Sequence, residues 1–100
     1  MSLVKVSIYI PAFNAEKTIK ETIISVQNQS YKFDEIIIID DNSNDTTNKI
    51  LKEFKDIKII KNETNKGLGY NRNLGIKLSK NDIVASIDAD VVLDLSLIHI

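Results

Sequence analysis

The chain has 100 residues, of which 43% are hydrophobic and 27% are charged, and its formal net charge is −1. This composition is typical of one small globular domain, and it excludes a disordered linker and a strongly basic chain that binds nucleic acid. The absence of cysteine excludes a disulfide scaffold and thiolate metal sites.

The first apolar run predicts a strand, and the pattern that follows it predicts a helix. Residues 4–10 are rich in Val and Ile, and Pro11 is predicted to end the strand. Residues 16–29 show a helical repeat, with Asn14 placed as the N-cap. The apolar face of this helix is formed by Ile19, Ile23 and Val26, at spacings of four and three.

A second strand and helix are predicted in the middle of the chain. Residues 35–40 contain four consecutive isoleucines, which is typical of a strand buried on both faces in a parallel sheet covered by helices. Residues 46–54 predict a second helix, which Ser43 or Asp45 can cap.

The last third of the chain predicts two more strands and one more helix. Residues 57–60 and 82–87 have strand patterns, and residues 68–78 have a helical pattern that Gly69 and Gly75 weaken. Four strands therefore alternate with three helices, in the order β-α-β-α-β-α-β. This order predicts an α/β fold with a parallel sheet and right-handed crossovers. No internal repeat or domain boundary interrupts this order.

Polar residues follow three of the four predicted strands. They are residues 11–14, residues 40–43 and residues 88–90. Ligands of open α/β sheets bind outside the carboxyl ends of the strands, so these clusters are expected at one edge. Acidic and amide groups that converge there repel one another unless a cation or a ligand donor lies among them.

Asp88 and Asp90 give the most specific chemical signal of these three clusters. Two carboxylates just past a strand can bind Mg²⁺ or Mn²⁺, which would complete its ligand shell with water and a diphosphate. Such a cation would offset the charge that builds on a diphosphate leaving group. The alternative is a solvated turn, because Asp is common in turns.

Other residues have both a functional and a structural interpretation. Asp41 is predicted to contact a ligand and Asp40 to cap the turn after its strand, although both could cap the helix from residue 46. Arg72 could brace a diphosphate, pair with a clustered Asp, or be a solvated helix residue. Phe13 could lie against a base or pack at the rim of the core. His99, the sole histidine, is interpreted as structural or incidental.

Five short strings, in this order and spacing over residues 4–94, resemble the family 2 glycosyltransferases with the GT-A fold. They are VSIYIPAFN (6–14), IDDNSNDT (39–46), NKGLG (65–69), RNLG (72–75) and DAD (88–90). The resemblance implies a Rossmann-like, mostly parallel sheet that is truncated after its fourth strand. Residues 1–100 would then be the N-terminal nucleotide-sugar-binding part of a glycosyltransferase domain, without the acceptor-binding half.

The resemblance also implies an activity and its partners. We expect an inverting glycosyltransferase of polysaccharide biosynthesis that uses a nucleotide-diphospho-sugar, usually a UDP-sugar, and a divalent cation, Mg²⁺ or Mn²⁺. The acceptor would be a carbohydrate or a lipid-linked hydroxyl compound. A cytoplasmic location is expected, because residues 4–10 lack a signal-peptide pattern. Residues outside this chain could hold the longer protein at the inner face of the membrane.

Site residues are carried over from the family motifs position by position. The resemblance implies that Asp41 contacts the base and that Arg72 lies near the nucleotide pocket. The segment Asp88-Ala89-Asp90 matches the D-x-D motif, with Asp90 as the direct metal ligand and Asp88 touching the ribose or a metal-bound water. The remaining residues of this set line the uridine pocket, partly through their backbone: Pro11, Ala12, Phe13 and Asn14.

Two departures from the family pattern leave alternatives open. The catalytic base of the family lies well downstream of D-x-D, so it is expected beyond residue 100, and residues 94–100 lack the usual proline and aromatic residues. The chain could therefore be a non-catalytic nucleotide-binding fragment or an incompletely folded piece.

Two other α/β classes with acidic strand ends fit the sequence less well. A phosphoacceptor receiver domain is disfavoured because Pro11 and Ala12 stand where it needs acids. A sugar nucleotidyltransferase is disfavoured because residues 11–16 contain no glycine.

Overall fold

The computed structural model describes residues 5–93 and contains the strands and helices in the predicted order. The elements are β1 (Val6–Ala12), α1 (Ile19–Gln27), β2 (Glu35–Asp40), α2 (Thr47–Leu51), β3 (Lys58–Lys61), α3 (Leu68–Leu78) and β4 (Ile83–Ser86). The sheet order is β3-β2-β1-β4, and all three neighbouring pairs are parallel, which confirms the predicted α/β class. Between residues 5 and 93, no helix has both the length and the apolar character needed to cross a membrane.

The two central strands, β1 and β2, are covered on both faces. On one face Ile8, Ile10, Ile36 and Ile38 pack with residues of α1 and α2. On the other face Tyr9, Ile37 and Ile39 pack with Leu74 of α3. This confirms the interpretation of the isoleucine run, and burying each such side chain stabilises the fold by about 1.5–3 kcal/mol.

Pro11 does not end β1, as the sequence pattern predicted. The strand continues to Ala12, and Pro11 pairs in register with Ile39 of β2. On its other side β1 is paired with β4 only from Val6 to Tyr9. At Pro11 the strand therefore has one neighbour, which is the situation in which a strand tolerates a residue without an N–H.

The first helix is shorter than predicted, and Asn14 is not its N-cap. The helix begins at Ile19 after the N-cap Thr18, whereas Asn14 has a φ of 48°. Asparagine is one of the few residues that adopt this left-handed backbone readily. Asn14 uses its hydrogen-bonding groups on a neighbouring loop, so it is not available to cap α1.

The second helix ends at Leu51 instead of residue 54. The prediction that Ser43 or Asp45 is its N-cap is wrong, because Thr46 occupies that position and makes no side-chain capping bond. Asp45 precedes the N-cap, and its carboxylate accepts a hydrogen bond of 2.9 Å from the N–H of Thr47. The N–H groups of Glu53 and Phe54 bond to the carbonyls three residues earlier, so the predicted final turn is present as a tighter turn. The interpretations of His99 and of residues 94–100 lie outside the described residues.

The two helix glycines of α3 differ in their surroundings. A Cβ atom at Gly75 would lie 2.7 Å from Cδ2 and 2.8 Å from Cδ1 of Tyr9, whereas one at Gly69 would meet nothing within 4 Å. Gly75 therefore lets α3 approach β1 closely. The helix is present despite its two glycines, and close packing against Tyr9 explains why one of them, Gly75, is there.

We expect Gly75→Ala to lower the free energy of unfolding by about 1–3 kcal/mol, because the added methyl group forces α3 away from the Tyr9 ring. Gly69→Ala is the matched control, and we expect it to be neutral or to stabilise by up to about 1 kcal/mol through helix propensity. Urea denaturation of both variants measures the difference. Equal effects of the two substitutions would contradict the packing role of Gly75.

At the amino end of β2, Glu35 is a buried carboxylate that joins several elements. It accepts hydrogen bonds from Ser7 Oγ (2.8 Å), from the N–H of Lys80 (2.9 Å) and from Lys58 Nζ. Burial raises the pKa of Glu35, but the hydrogen bonds from Lys58, Lys80 and Ser7 together lower it by more than burial raises it. The pKa of Glu35 therefore lies below its ordinary value of 4.5. The folded state therefore favours the ionised carboxylate.

We expect Glu35→Gln to lower the free energy of unfolding by about 2 kcal/mol at neutral pH, the loss typical of hydrogen bonds to a charged group. Because the folded pKa is depressed, this stabilisation is complete above about pH 4.5 and is lost as the pH falls through the folded pKa. Denaturation curves from pH 7 to pH 3 should show the wild type and the variant converging in acid. Glu53→Gln, at an exposed residue, is the matched control for the loss of one carboxylate. A difference between the wild type and Glu35→Gln that persists unchanged to pH 3 would contradict this role of Glu35.

Candidate functional site

Two adjoining cavities lie at the carboxyl edge of the sheet. They share Pro11, Phe13 and Leu68. The first has a volume of about 340 Å³ and is also lined by Ala12, Asp41, Asn65, Gly67 and Asn71. The second has a volume of about 390 Å³ and is also lined by Asn14, Ala15, Thr18, Asp88, Ala89 and Asp90. The structure thus brings the three predicted clusters to one edge, and they form a continuous cleft.

The loops after β1 and β2 are joined by reciprocal hydrogen bonds. The N–H of Asn14 donates to Ser43 Oγ (2.9 Å), and Asn14 Oδ1 accepts from the N–H of Asn44 (2.7 Å). Glu16 Oε1 accepts from both the N–H and the hydroxyl of Thr46, at 3.0 and 2.9 Å. These bonds fix one wall of the cleft and explain the left-handed backbone of Asn14.

Asp41 is the centre of a buried polar network at the other wall. Its Oδ1 accepts hydrogen bonds from Asn62 Nδ2 (2.9 Å) and the N–H of Lys66 (2.7 Å), and its Oδ2 accepts from the N–H of Gly67 (3.0 Å). Asn62 Nδ2 also donates to Asn71 Oδ1 at 2.7 Å. The network joins the ends of β2 and β3 to the start of α3, where Gly67 has a φ of 86° that glycine adopts without strain.

The carboxylate of Asp41 is held ionised and still has room for a ligand. Burial raises its pKa, but the hydrogen bonds from Lys66, Asn62 and Gly67 lower it more, so the pKa lies below its ordinary value. Each carboxylate oxygen has about two acceptor positions, and Oδ2 accepts one hydrogen bond from residues 5–93. Asp41 can therefore accept another hydrogen bond from a group in the first cavity.

Asp40 has the structural role that its sequence position predicted. Strand alternation directs it to the face opposite Asp41, where its side chain is fully buried. Its Oδ1 accepts a hydrogen bond of 3.0 Å from the N–H of Ser43, which closes the turn after β2. Asp40 caps this turn and lines neither cavity, so we assign it no ligand contact.

Asp88 and Asp90 are exposed in the second cavity. Within residues 5–93 neither carboxylate forms an ion pair or a hydrogen bond, and no three His, Cys, Asp or Glu side chains are grouped to hold a metal. Two carboxylates supply part of an oxygen ligand set and leave positions for water and phosphate oxygens, a partial protein shell that Mg²⁺ accepts. The donor set therefore fits a divalent cation that is shared with a phosphorylated ligand.

Phe13 and Arg72 differ in their relation to the cleft. Phe13 is 49% exposed and lines both cavities, so its ring is available to a ligand. Arg72 is exposed on α3, lines neither cavity and forms no ion pair with another residue of the described range. The structure therefore does not bring the guanidinium of Arg72 to Asp88 or Asp90.

Four residues that line the cleft or support its walls were missed by sequence reasoning. Asn62 directly follows β3, so the strand-end rule that located the other clusters could have found it. Asn71 gave no signal beyond the neighbouring Arg72. Thr18 and Thr22 are four residues apart in sequence, and this spacing places them on one side of α1. Nothing in the sequence indicated that this side faces the D-x-D segment.

Comparison with known proteins agrees with this architecture. The model of the family described as glycosyl transferase family 2 matches residues 7–99, a range that includes most of the terminal segment that departs from the expected pattern. Among curated relatives, the Escherichia coli UDP-Glc:alpha-D-GlcNAc-diphosphoundecaprenol beta-1,3-glucosyltransferase WfaP is 44% identical over 87 residues, which are 85% of this chain and 35% of the relative. A Staphylococcus epidermidis poly-beta-1,6-N-acetyl-D-glucosamine synthase is 38% identical over 92 residues, which are 89% of this chain and 22% of the relative.

Solved structures show the same fold. The crystal structure of S. aureus TarS 1-349 in complex with UDP matches with a TM-score of 0.84 and 30% sequence identity, over 93% of this chain and 29% of that chain. The chain thus has the GT-A fold of glycosyltransferases, and it spans about a third or less of the length of these relatives. It belongs to glycosyl transferase family 2.

Proposed function

We propose that this chain is the donor-binding part of an inverting, metal-dependent glycosyltransferase that uses a UDP-sugar. The observation that carries the proposal is the continuous cleft, with an ionised acceptor, Asp41, in one cavity and two free carboxylates, Asp88 and Asp90, in the other. The similarity to UDP-bound TarS and to a relative whose name specifies UDP-Glc supports the choice of a uridine nucleotide.

The first cavity is assigned to the nucleoside. Uracil carries an N3–H donor, and Oδ2 of Asp41 has the remaining acceptor capacity to receive it. The exposed ring of Phe13 offers an aromatic surface to the base, with Pro11 and Ala12 beside it. Arg72 takes no part in this assignment, because its exposed side chain lines neither cavity.

The second cavity is assigned to the diphosphate and the cation. Asp90 would bind Mg²⁺ or Mn²⁺ directly, and Asp88 would contact the ribose or a metal-bound water. Bound there, the cation would supply Lewis-acid stabilisation of the departing UDP. Without it, the two carboxylates would repel the diphosphate, since all of these groups are negatively charged.

The transfer follows from this placement of the donor. An acceptor hydroxyl attacks the anomeric carbon, the new C–O bond forms as the bond to the diphosphate breaks, and the configuration inverts. A carboxylate base takes the hydroxyl proton, and we place it beyond residue 100 in an acceptor-binding half. The acceptor is proposed to be a carbohydrate or lipid-linked hydroxyl, as in the name of the Escherichia coli relative.

We expect UDP to raise the melting temperature of this chain, and Mn²⁺ to enlarge the shift. A ligand that binds only the folded form adds about 2.7 kcal/mol of stability at 100 times its Kd. Asp90→Asn should abolish the Mn²⁺-dependent part of the shift, whereas Asp82→Asn, at an exposed residue outside the cleft, should keep it. A shift of equal size in both variants would contradict the assignment of Asp90, and no shift in the wild type would contradict donor binding.

We also expect this chain to bind UDP at least tenfold more tightly than CDP when Mn²⁺ is present. The two nucleotides share ribose and diphosphate, but cytosine has an acceptor at N3, which would face the ionised Asp41 without a proton between them. Titration calorimetry with both nucleotides measures the ratio. Equal affinities would remove Asp41 from the base site while leaving the diphosphate assignment intact.

A further inference from the structure

The backbone between the two free carboxylates is held by two threonines of the first helical segment. The carbonyl oxygen of Ala89 accepts a hydrogen bond from Thr18 Oγ1 at 3.0 Å and another from Thr22 Oγ1 at 2.8 Å. Ala89 lies between Asp88 and Asp90, so this one carbonyl is the midpoint of the D-x-D segment.

The attachment extends along the same side of α1. Thr18 occupies the N-cap position of α1 without a side-chain capping bond, and Thr22 follows one turn later. Ser25 lies in the next turn, where its Oγ accepts a hydrogen bond of 3.0 Å from the N–H of Leu93. Thr22 is fully buried. Its hydroxyl also lies 3.2 Å from the carbonyl of Thr18, but the shorter contact is the one to Ala89.

These hydrogen bonds hold a segment that lies beyond the last paired residue of β4. The register of β4 with β1 stops at Ser86. Among the described residues, the hydrogen bonds that join residues 88–93 to the remainder of the protein all go to the Thr18–Ser25 side of α1. The polar contacts that orient Asp88 and Asp90 therefore come from α1, while Ala89 and Leu93 also pack against the core between α1 and the sheet.

We infer that Thr18 and Thr22 are positioning residues for the cation site, and this inference rests on the proposed metal-dependent binding of UDP. By fixing the Ala89 carbonyl, they hold the backbone on both sides in the conformation that presents the two carboxylates to the second cavity. Groups that are held before a ligand arrives lose less conformational entropy when they bind it. Thr18 and Thr22 thus act on the cation through Asp88 and Asp90, without touching the nucleoside cavity.

The test compares cation affinity with nucleotide affinity in the same variants. Thr22→Val and the double variant Thr18→Val/Thr22→Val remove the hydroxyls but keep the side-chain shape. Thr22→Ser keeps the hydroxyl and should restore binding. Ser79→Ala is the matched control, because its hydroxyl donates to the Gly75 carbonyl in α3, away from the cleft.

Electron paramagnetic resonance of free Mn²⁺, in the presence of saturating UDP, measures the Kd of the cation. We expect this Kd to rise about tenfold in the double variant, as is typical when the support of a metal-ligating group is removed. We expect a smaller rise in Thr22→Val, and values within about twofold of the wild type in Thr22→Ser and Ser79→Ala. UDP affinity measured in EDTA should change less than twofold in Thr22→Val, whose side chain lines neither cavity, and in Thr22→Ser and Ser79→Ala.

Each other outcome overturns the inference for a distinct reason. Unchanged Mn²⁺ affinity in the double variant would show that the threonines do not position the carboxylates. Equal losses of Mn²⁺ affinity and of metal-free UDP affinity would show a general structural role. Absence of Mn²⁺-dependent UDP binding in the wild type would refute the proposed function itself. If the double variant fails to melt cooperatively, Thr22→Val alone provides the same comparison, because its side chain lines neither cavity.

Discussion

Burial of β1 and β2 on both faces determines where the polar groups of the cleft can lie. Helices cover each face of this strand pair, so the backbone polar groups within the strands can pair only with neighbouring strands. Side chains that bind a ligand are therefore restricted to the ends of the strands. At the end of β2, alternation sends Asp40 to the face of α1 and α2 and Asp41 to the face of α3, so two adjacent carboxylates have different roles.

The carboxylates at the carboxyl ends of the strands differ in the hydrogen-bond donors that surround them. Asp40, Asp41 and Asp45 each accept backbone N–H groups from nearby loops. Internal donors therefore meet part of the acceptor capacity of these three carboxylates, although Asp40 Oδ2 is buried without a hydrogen-bond partner among the described residues. Asp88 and Asp90 accept no hydrogen bond within the described range, so among the carboxylates that line the two cavities this pair has the greatest need of a cation.

Sequence reasoning located the elements and three clusters of the site because these depend on local patterns. The isoleucine run, the helical repeats and the rule that ligands bind at strand ends each use residues that are close in the chain. Asn14 was misinterpreted because its partners, Ser43 and Asn44, are 29 and 30 residues away. Thr18 and Thr22 were missed because their partner Ala89 is 71 and 67 residues away. Long-range partners of single polar residues leave no periodic signal, so only the three-dimensional structure shows them.

The distance in sequence between α1 and the D-x-D segment also separates the assembly of the two cavities. The Asp41 network is complete within residues 41–71, whereas the second cavity needs Ala89 to reach back across most of the chain. Closing the loop of 71 residues between Thr18 and Ala89 instead of the loop of 30 residues between Glu16 and Thr46 costs only about 0.8 kcal/mol more in chain entropy. Attachment of the last segment therefore adds little entropic cost once β1, β2 and α1 are in place. The nucleoside cavity is lined by residues 11–71 alone, whereas the cation cavity also requires residues 88–90 from the far end of this longer loop.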